Sequence, residues 1–68
     1  MIDGTRLKRL RLERTMTQRE LAAKAGITHD AISMIEHGKR QGRPSTVRKL
    51  AEALGVEPRE ILRPEEPR

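Results

Sequence analysis

Cysteine, phenylalanine, tyrosine and tryptophan are all absent from this chain of 68 residues. Without cysteine there is neither a disulfide framework nor a thiolate metal site. No apolar run approaches the length of a membrane span or a signal peptide, so we expect a soluble, cytoplasmic protein with no membrane partner. Aliphatic residues and methionine must build the core, and a chain of this length has room for one small domain.

The stretch from Thr17 to Gly38 has the spacing of two short helices joined by a tight turn. Thr17 and Glu20 have the capping-box spacing at the start of the first helix. Gly26 can adopt the left-handed conformation that ends this helix, and Thr28 can cap the second. Polar side chains follow Thr28, where they could reach an outside partner. This layout is typical of a helix-turn-helix DNA reader.

The rest of the sequence predicts further helices, because apolar residues recur at helical spacing and alternation of period two is absent. Helix 1 is expected over about 5–14, helix 3 over about 28–37, and helix 4 from 45 or 46 to 54. Pro58 opens a short helix 5, and Pro64 forbids its continuation. The sequence therefore predicts an all-α domain of five helices over 1–63, with a flexible tail over 64–68.

Basic charge is concentrated on both sides of the second helix of this pair. The net charge is +5, from 15 basic and 10 acidic residues. Residues 39–49 include five basic and no acidic side chains, and residues 1–16 include five basic and two acidic ones. A basic segment directly after a reading helix suits a phosphate backbone. The alternative is an ordinary solvated surface, which is what charge runs usually are.

Two charged residues are predicted to lie beside the apolar faces of their helices. Arg11 follows Leu7 and Leu10 at helical spacing, and Glu36 follows Ile32 and Ile35 in the same way. Burying either charge alone would cost several kcal/mol, so an Arg11 to Glu36 ion pair between helices 1 and 3 is the economical interpretation. The alternative is two side chains that extend separately to solvent.

These residues together resemble the phage-repressor and Cro-like (Xre-type) helix-turn-helix proteins, and the resemblance covers nearly the whole chain. It is carried by Arg-x-x-Arg before Met-Thr-Gln-x-Glu-Leu-Ala in the region 8–22, by Ala25-Gly26-Ile27-Thr28, by Ile32-Ser33-x-Ile35-Glu36-x-Gly38-Lys39-Arg40, and by Lys49-Leu50-Ala51-Glu52-Ala53-Leu54-Gly55-Val56. The resemblance implies a compact five-helix, lambda-repressor-like domain whose second helix crosses the DNA backbone and whose third lies in the major groove. It also implies a structural salt bridge between Arg11 and Glu36.

The resemblance further implies which residues contact double-stranded DNA. Base contacts would be made by Thr28, His29, Asp30, Ser33 and Met34. The resemblance also implies that Gln18 contacts a phosphate and packs against the first reader. With Thr17 beside it at the start of helix 2, and with Lys39, Arg40 and Arg43 predicted from the basic segment after the reading helix, the expected phosphate contacts are Thr17, Gln18, Lys39, Arg40 and Arg43.

Several of these residues have a second role open to them. His29 can donate to guanine and Asp30 can accept from cytosine, but Asp30 can equally offset the helix dipole in the first turn. Met34 could contact a thymine methyl group or rim the core. Thr28 and Ser33 could serve a phosphate, a base or a backbone cap.

The apolar residues after helix 4 predict a dimer interface. Val56, Ile61 and Leu62 follow a core that helix 4 already closes, which leaves an apolar patch on a very small domain. The resemblance implies pairing by this end, as a two-fold homodimer on a palindromic operator. The predicted function is a sequence-specific transcriptional regulator, most simply a repressor.

Two other classes of function fit fewer of these observations. An enzyme would use His29 with Asp30 and Ser33, or His29 with His37. Adjacent helical residues point about 100° apart and residues eight apart are separated by two turns, so neither set can form a triad or a chelate. We therefore expect no enzyme, cofactor or metal site. The remaining alternative is an antitoxin or other protein-interaction module on the same fold, which leaves the basic segment unexplained.

Overall fold

The computed structural model describes residues 2–63, which fold into four α-helices and one short 3-10 turn. The elements are α1 (Gly4–Glu13), α2 (Gln18–Ala25), α3 (His29–Glu36) and α4 (Pro44–Leu54), followed by the 3-10 turn Pro58–Glu60. The predicted all-α class is confirmed. None of these helices has the length and apolar character needed to cross a membrane.

The predicted fifth helix is wrong, because the chain forms only a 3-10 turn at that point. The Ile61 amide donates to the Pro58 carbonyl at 3.1 Å, which closes the turn. Ile61 is then buried, and Leu62 pairs with Ile2 in an antiparallel bridge. An α-helix cannot continue through a residue held in such a bridge. The flexible tail predicted over 64–68 lies outside the described residues.

Two helices begin earlier than the sequence pattern predicts. The Asp3 carboxylate accepts from the amides of Thr5 at 3.0 Å and Arg6 at 3.3 Å, so α1 begins at Gly4. Pro44 occupies the first position of α4. Proline is tolerated there because its missing N–H would have no partner within the helix.

A residue in the left-handed conformation follows the end of each of the four helices within two positions. The positive φ angles are 56° at Thr15, 74° at Gly26, 75° at Gly38 and 70° at Gly55. In each case the next amide donates to the carbonyl five positions earlier, as Met16 does to Arg11. This bond satisfies a carbonyl that the helix leaves without a partner. Glycine adopts this conformation without steric cost, so Thr15 is the strained member of the set.

The core is built from aliphatic side chains of every helix and of the segment after the 3-10 turn. Six side chains are fully buried: Leu7, Leu21, Ile32, Ile35, Leu50 and Ile61. The prediction that Ile61 lies on an exposed dimer patch is therefore wrong. Its carbonyl accepts from the Asp3 amide at 2.8 Å, which holds the segment against the start of α1. Val56 and Leu62 are partly buried against the same core.

The start of α1 lies directly against the end of α3. A Cβ atom at Gly4 would lie 2.5 Å from the Ile35 carbonyl oxygen and 2.6 Å from that of Glu36. Contacts of that length are repulsive, so this approach requires glycine. It fixes the position of the helix that carries the candidate reading residues.

Candidate nucleic-acid interface

Both helices of the predicted helix-turn-helix are capped by threonine. The Thr17 hydroxyl accepts from the Glu20 amide at 3.0 Å, and the Glu20 carboxylate accepts from the Thr17 amide at 2.8 Å. The Thr28 hydroxyl accepts from the Ala31 amide at 3.1 Å. Gly26 ends α2, as predicted. Each hydroxyl oxygen is used as a cap, and the hydroxyl hydrogen can still be donated to an outside acceptor.

The structure contains the Arg11 to Glu36 ion pair between α1 and α3. Arg11 Nε donates to Glu36 Oε2 at 2.7 Å, and Arg11 Nη2 donates to Glu36 Oε1 at 3.0 Å. The two side chains are 8% and 2% exposed. Arg11 Nη1 also donates to the Met16 carbonyl at 2.8 Å, so the same guanidinium holds the segment that leads into α2. The pair thereby connects α1, α3 and the segment before α2.

Gln18 extends this pair towards the surface of α3. Its amide nitrogen Nε2 donates to Glu36 Oε1 at 3.0 Å. Its oxygen Oε1 lies 3.1 Å from His29 Nε2. Both ends of the Gln18 carboxamide therefore have partners inside the protein. A carboxamide nitrogen carries two hydrogens, and the second is the one that the predicted phosphate contact requires.

Four of the predicted base readers share one face of α3. At the helical period, residues 29, 30, 33 and 34 cover about 140° of the circumference, and the two buried isoleucines lie outside this arc. The His29 side chain is 38% exposed, and that of Asp30 is 95% exposed. Met34 is also exposed, so it does not belong to the core. Asp30 lies in the first turn of α3, where its charge also offsets the helix dipole.

The basic segment connects α3 to α4 beside this face. Lys39, Arg40 and Arg43 are exposed. A groove of about 420 Å³ between the two helices is lined in part by Arg40, Arg43, Ser45 and Lys49. Lys49, which is not among the predicted phosphate contacts, lies in this groove on the same face of α4 as Ser45.

The two histidines have separate local partners. His37 Nδ1, at the C-terminal cap of α3, lies 2.7 Å from the carbonyl oxygen of Ser33 in the same helix. His29 instead contacts Gln18 on α2. Within residues 2–63, no three His, Asp or Glu side chains are grouped so that they could hold a metal ion.

Curated relatives with this sequence pattern are transcriptional regulators. The transcriptional repressor RghR of Bacillus subtilis is 46% identical over 54 residues, which cover 78% of this chain and 40% of that protein. The uncharacterized regulator y4dJ of Sinorhizobium fredii is 38% identical over 61 residues, covering 90% of this chain and 79% of that protein. This chain thus spans less than half the length of RghR and most of the length of y4dJ.

A solved structure and a family model agree with these relatives. The crystal structure of the restriction-modification controller protein C.AhdI from Aeromonas hydrophila is 37% identical, with a TM-score of 0.82. The match covers 84% of this chain and 86% of that one. The sequence model of the helix-turn-helix family HTH_3 matches residues 7–61, which include both capped helices, the turn and the basic segment. The chain belongs to this helix-turn-helix family, whose members include phage-repressor and Cro-like (Xre-type) proteins.

Proposed function

We propose that this chain is a DNA-binding transcriptional regulator, most simply a repressor, that reads the major groove with α3. The observation that carries the proposal is the polar outward face of α3 directly beside the exposed basic segment 39–43. A helix of this width fits the major groove, and the adjacent positive charge faces the phosphates that border it. The regulators among its relatives support the same function.

Two groups of residues bind phosphate in this proposal. Lys39, Arg40 and Arg43 contact one side of the groove from the segment after α3. Thr17 and Gln18 contact the other side from the start of α2, where backbone N–H groups also point outward. Because these contacts are made to the phosphate backbone, which repeats along any duplex, they supply affinity and register rather than sequence preference.

Sequence preference comes from the face of α3. His29, Asp30, Ser33 and Met34 have side chains long or polar enough to meet base edges, and Thr28 lies at the start of the same helix. Asp30 serves as a base reader in this proposal because its carboxylate is almost fully exposed. A carboxylate in the major groove accepts from the amine of cytosine.

The functional unit on DNA is a homodimer on a palindromic operator. Val56 and Leu62 remain as partly exposed apolar residues after α4, while Ile61 is excluded by its burial. A shallow apolar groove beside Leu62, lined also by Pro44, Val47 and Pro58, extends this surface. Two-fold pairing there would place two α3 helices about 34 Å apart, on half-sites one turn of DNA apart.

Salt dependence and selection from random DNA test the DNA-binding proposal. Neutralising roughly four to six phosphates per subunit gives a plot of log affinity against log salt with a slope of about −0.9 per phosphate. Arg43→Ala should weaken binding to all sequences alike and make the slope less steep by about one unit. Arg9→Ala, at an exposed arginine on α1 beside Leu12, is the matched control and should leave both unchanged. A flat salt response or the absence of any enriched sequence would contradict the proposal.

Two leucine-to-aspartate variants, one on the proposed dimer surface and one away from it, test the dimer. Leu62→Asp should reduce dimer formation in analytical ultracentrifugation and convert two-subunit complexes on DNA to one-subunit complexes. Leu12→Asp carries the same change on the exposed side of α1 and should leave stoichiometry unchanged. Selected DNA sites without two-fold symmetry, or equal behaviour of the two variants, would refute the dimer.

A further inference from the structure

The hydrogen bonds around Gln18 have fixed directions. Glu36 is a carboxylate held by Nε and Nη2 along one edge of the Arg11 guanidinium, so its oxygens only accept. The Gln18 atom that lies 3.0 Å from Glu36 Oε1 must therefore be the donating nitrogen. This orientation leaves the Gln18 carbonyl oxygen facing His29 at 3.1 Å.

A carbonyl oxygen cannot donate, so His29 Nε2 must carry a hydrogen to bond with Gln18. In a neutral imidazole only one of the two ring nitrogens carries a hydrogen, and the other accepts. We infer that Gln18, oriented by Glu36, fixes His29 in the Nε2–H tautomer, so that Nδ1 faces DNA as a hydrogen-bond acceptor. This inference rests on the proposed function only in its second half, the contact with DNA.

The surroundings of Nδ1 add a second acceptor. Asp30 Oδ1 lies 3.8 Å from His29 Nδ1, which is beyond hydrogen-bond distance, so Asp30 does not compete with Gln18 for the ring hydrogen. The Asp30 side chain is almost fully exposed. Two neighbouring acceptors favour a base edge that presents an amine, which in the major groove is N4 of cytosine or N6 of adenine. They disfavour guanine, whose N7 and O6 are both acceptors. Donation from a neutral His29 to guanine, one of the roles considered from sequence, is incompatible with this tautomer.

His37 provides an internal control. Its Nδ1 lies 2.7 Å from the Ser33 carbonyl oxygen, so Nδ1 is the atom that must carry the hydrogen there. The two histidines of the chain should therefore have opposite tautomers. Long-range 1H–15N correlation spectra of the imidazole rings distinguish the two tautomers directly, and a His37→Gln variant assigns the signals. The spectra are recorded on the free protein at a pH where both rings are neutral.

The decisive variant replaces the Gln18 acceptor with a donor. The ammonium of Gln18→Lys can only donate, both to Glu36 and to His29 Nε2, so His29 should change to the Nδ1–H tautomer. The His37 signals should not change. The control is Gln41→Lys, which makes the same substitution at the other glutamine of the chain, in the segment before α4. It adds the same charge and should leave both tautomers unchanged. If the lysine variant unfolds, Gln18→Ala replaces it in the test. This variant only removes the acceptor, and it should lower the fraction of His29 in the Nε2–H tautomer.

The DNA readout follows from the same variants. Wild-type protein should select cytosine or adenine at the base that His29 contacts, whereas Gln18→Lys should change the preference towards guanine on the order of ten-fold. Gln41→Lys should raise affinity without that change. Finding His29 in the Nδ1–H tautomer in the wild type, or unchanged in Gln18→Lys, would overturn the inference. If His29 has the inferred tautomer but no DNA sequence is selected, the proposed function is refuted instead. If DNA sequences are selected but Gln18→Lys does not change the base preference, base reading by His29 is refuted.

Discussion

α3 and α4 are held in the molecule by different means. α3 buries only two of its eight residues, Ile32 and Ile35, whereas α4 buries five of its eleven. The rotation of α3 is instead fixed by the directional bonds from Arg11 and Gln18 to Glu36 at its last turn. Apolar burial is tolerant of small rotations, and hydrogen bonds are not. The helix with the reading face is thus the one whose orientation depends on polar contacts.

The largest expected effect comes from breaking the ion pair on the α3 side. Glu36→Leu leaves the buried Arg11 guanidinium without its partner, and should lower the free energy of unfolding by about 3 to 5 kcal/mol. In a domain of this size each kcal/mol lowers the melting temperature by about 4 to 8 °C, so the melting temperature should fall by about 12 to 40 °C. Thermal melts followed by circular dichroism measure the loss.

A double-mutant cycle measures the coupling energy between Arg11 and Glu36 separately from the effect of each single substitution. Arg11→Met should cost a similar amount, and the double variant should be more stable than the sum of the two losses predicts, because neither charge is then left without its partner. Additive losses would show that the two charges are not coupled.

For the apolar core beside α4, the corresponding test is Ile61→Ala. This substitution removes buried apolar volume next to α4 and should cost about 2 to 5 kcal/mol, at the lower end if the chain end can collapse into the space. Leu12→Ala, at a side chain that is 56% exposed, is the control and should change stability by about 0.5 kcal/mol or less. Equal losses in urea unfolding would mean that Ile61 is not part of the core.

A smaller loss is expected where α1 meets α3. Gly4→Ala places a methyl group against the carbonyl oxygens of Ile35 and Glu36, and should cost about 1 to 3 kcal/mol. Thr5→Ala is the control, since the Thr5 side chain is exposed and its backbone amide keeps its bond to Asp3. If the two variants were equally stable, the close approach of α1 to α3 would be contradicted.

The smallest effect is a gain of stability at the end of α1. Thr15→Gly removes the steric cost of the left-handed conformation, and should stabilise the domain by up to about 1 kcal/mol after allowance for the more flexible unfolded chain. Thr5→Gly, in the first turn of α1, should give no such gain. A loss of stability in Thr15→Gly would show that the threonine side chain contributes something that its backbone angle does not explain.

The local features of this fold could be predicted from sequence, and the features that depend on distant contacts could not. Thr17 with Glu20, Gly26 and Thr28 act within one or two turns of chain, and their roles follow from spacing alone. The partner of Arg11 could be identified because an uncompensated buried charge is so costly. The burial of Ile61 was missed because it depends on a bond to Asp3 at the other end of the domain.

The candidate site shows the same division. The exposed face of α3 follows from its helical period, but the contact of Gln18 with both Glu36 and His29 joins residues of two crossing helices. No spacing within the sequence encodes the distance between those side chains. The resemblance to known regulators indicated that Gln18 packs against a reader, and only the structure supplies the direction of its hydrogen bonds.

The bridge between Ile2 and Leu62 makes the two ends of the described chain open together. The Asp3 amide donates to the Ile61 carbonyl, so it can exchange its hydrogen with solvent only when the C-terminal segment detaches. Such segments exchange as a cooperative unit. A single amide near the start of the chain therefore monitors the surface proposed for pairing at the other end, and its exchange should slow as the protein concentration rises and the dimer forms.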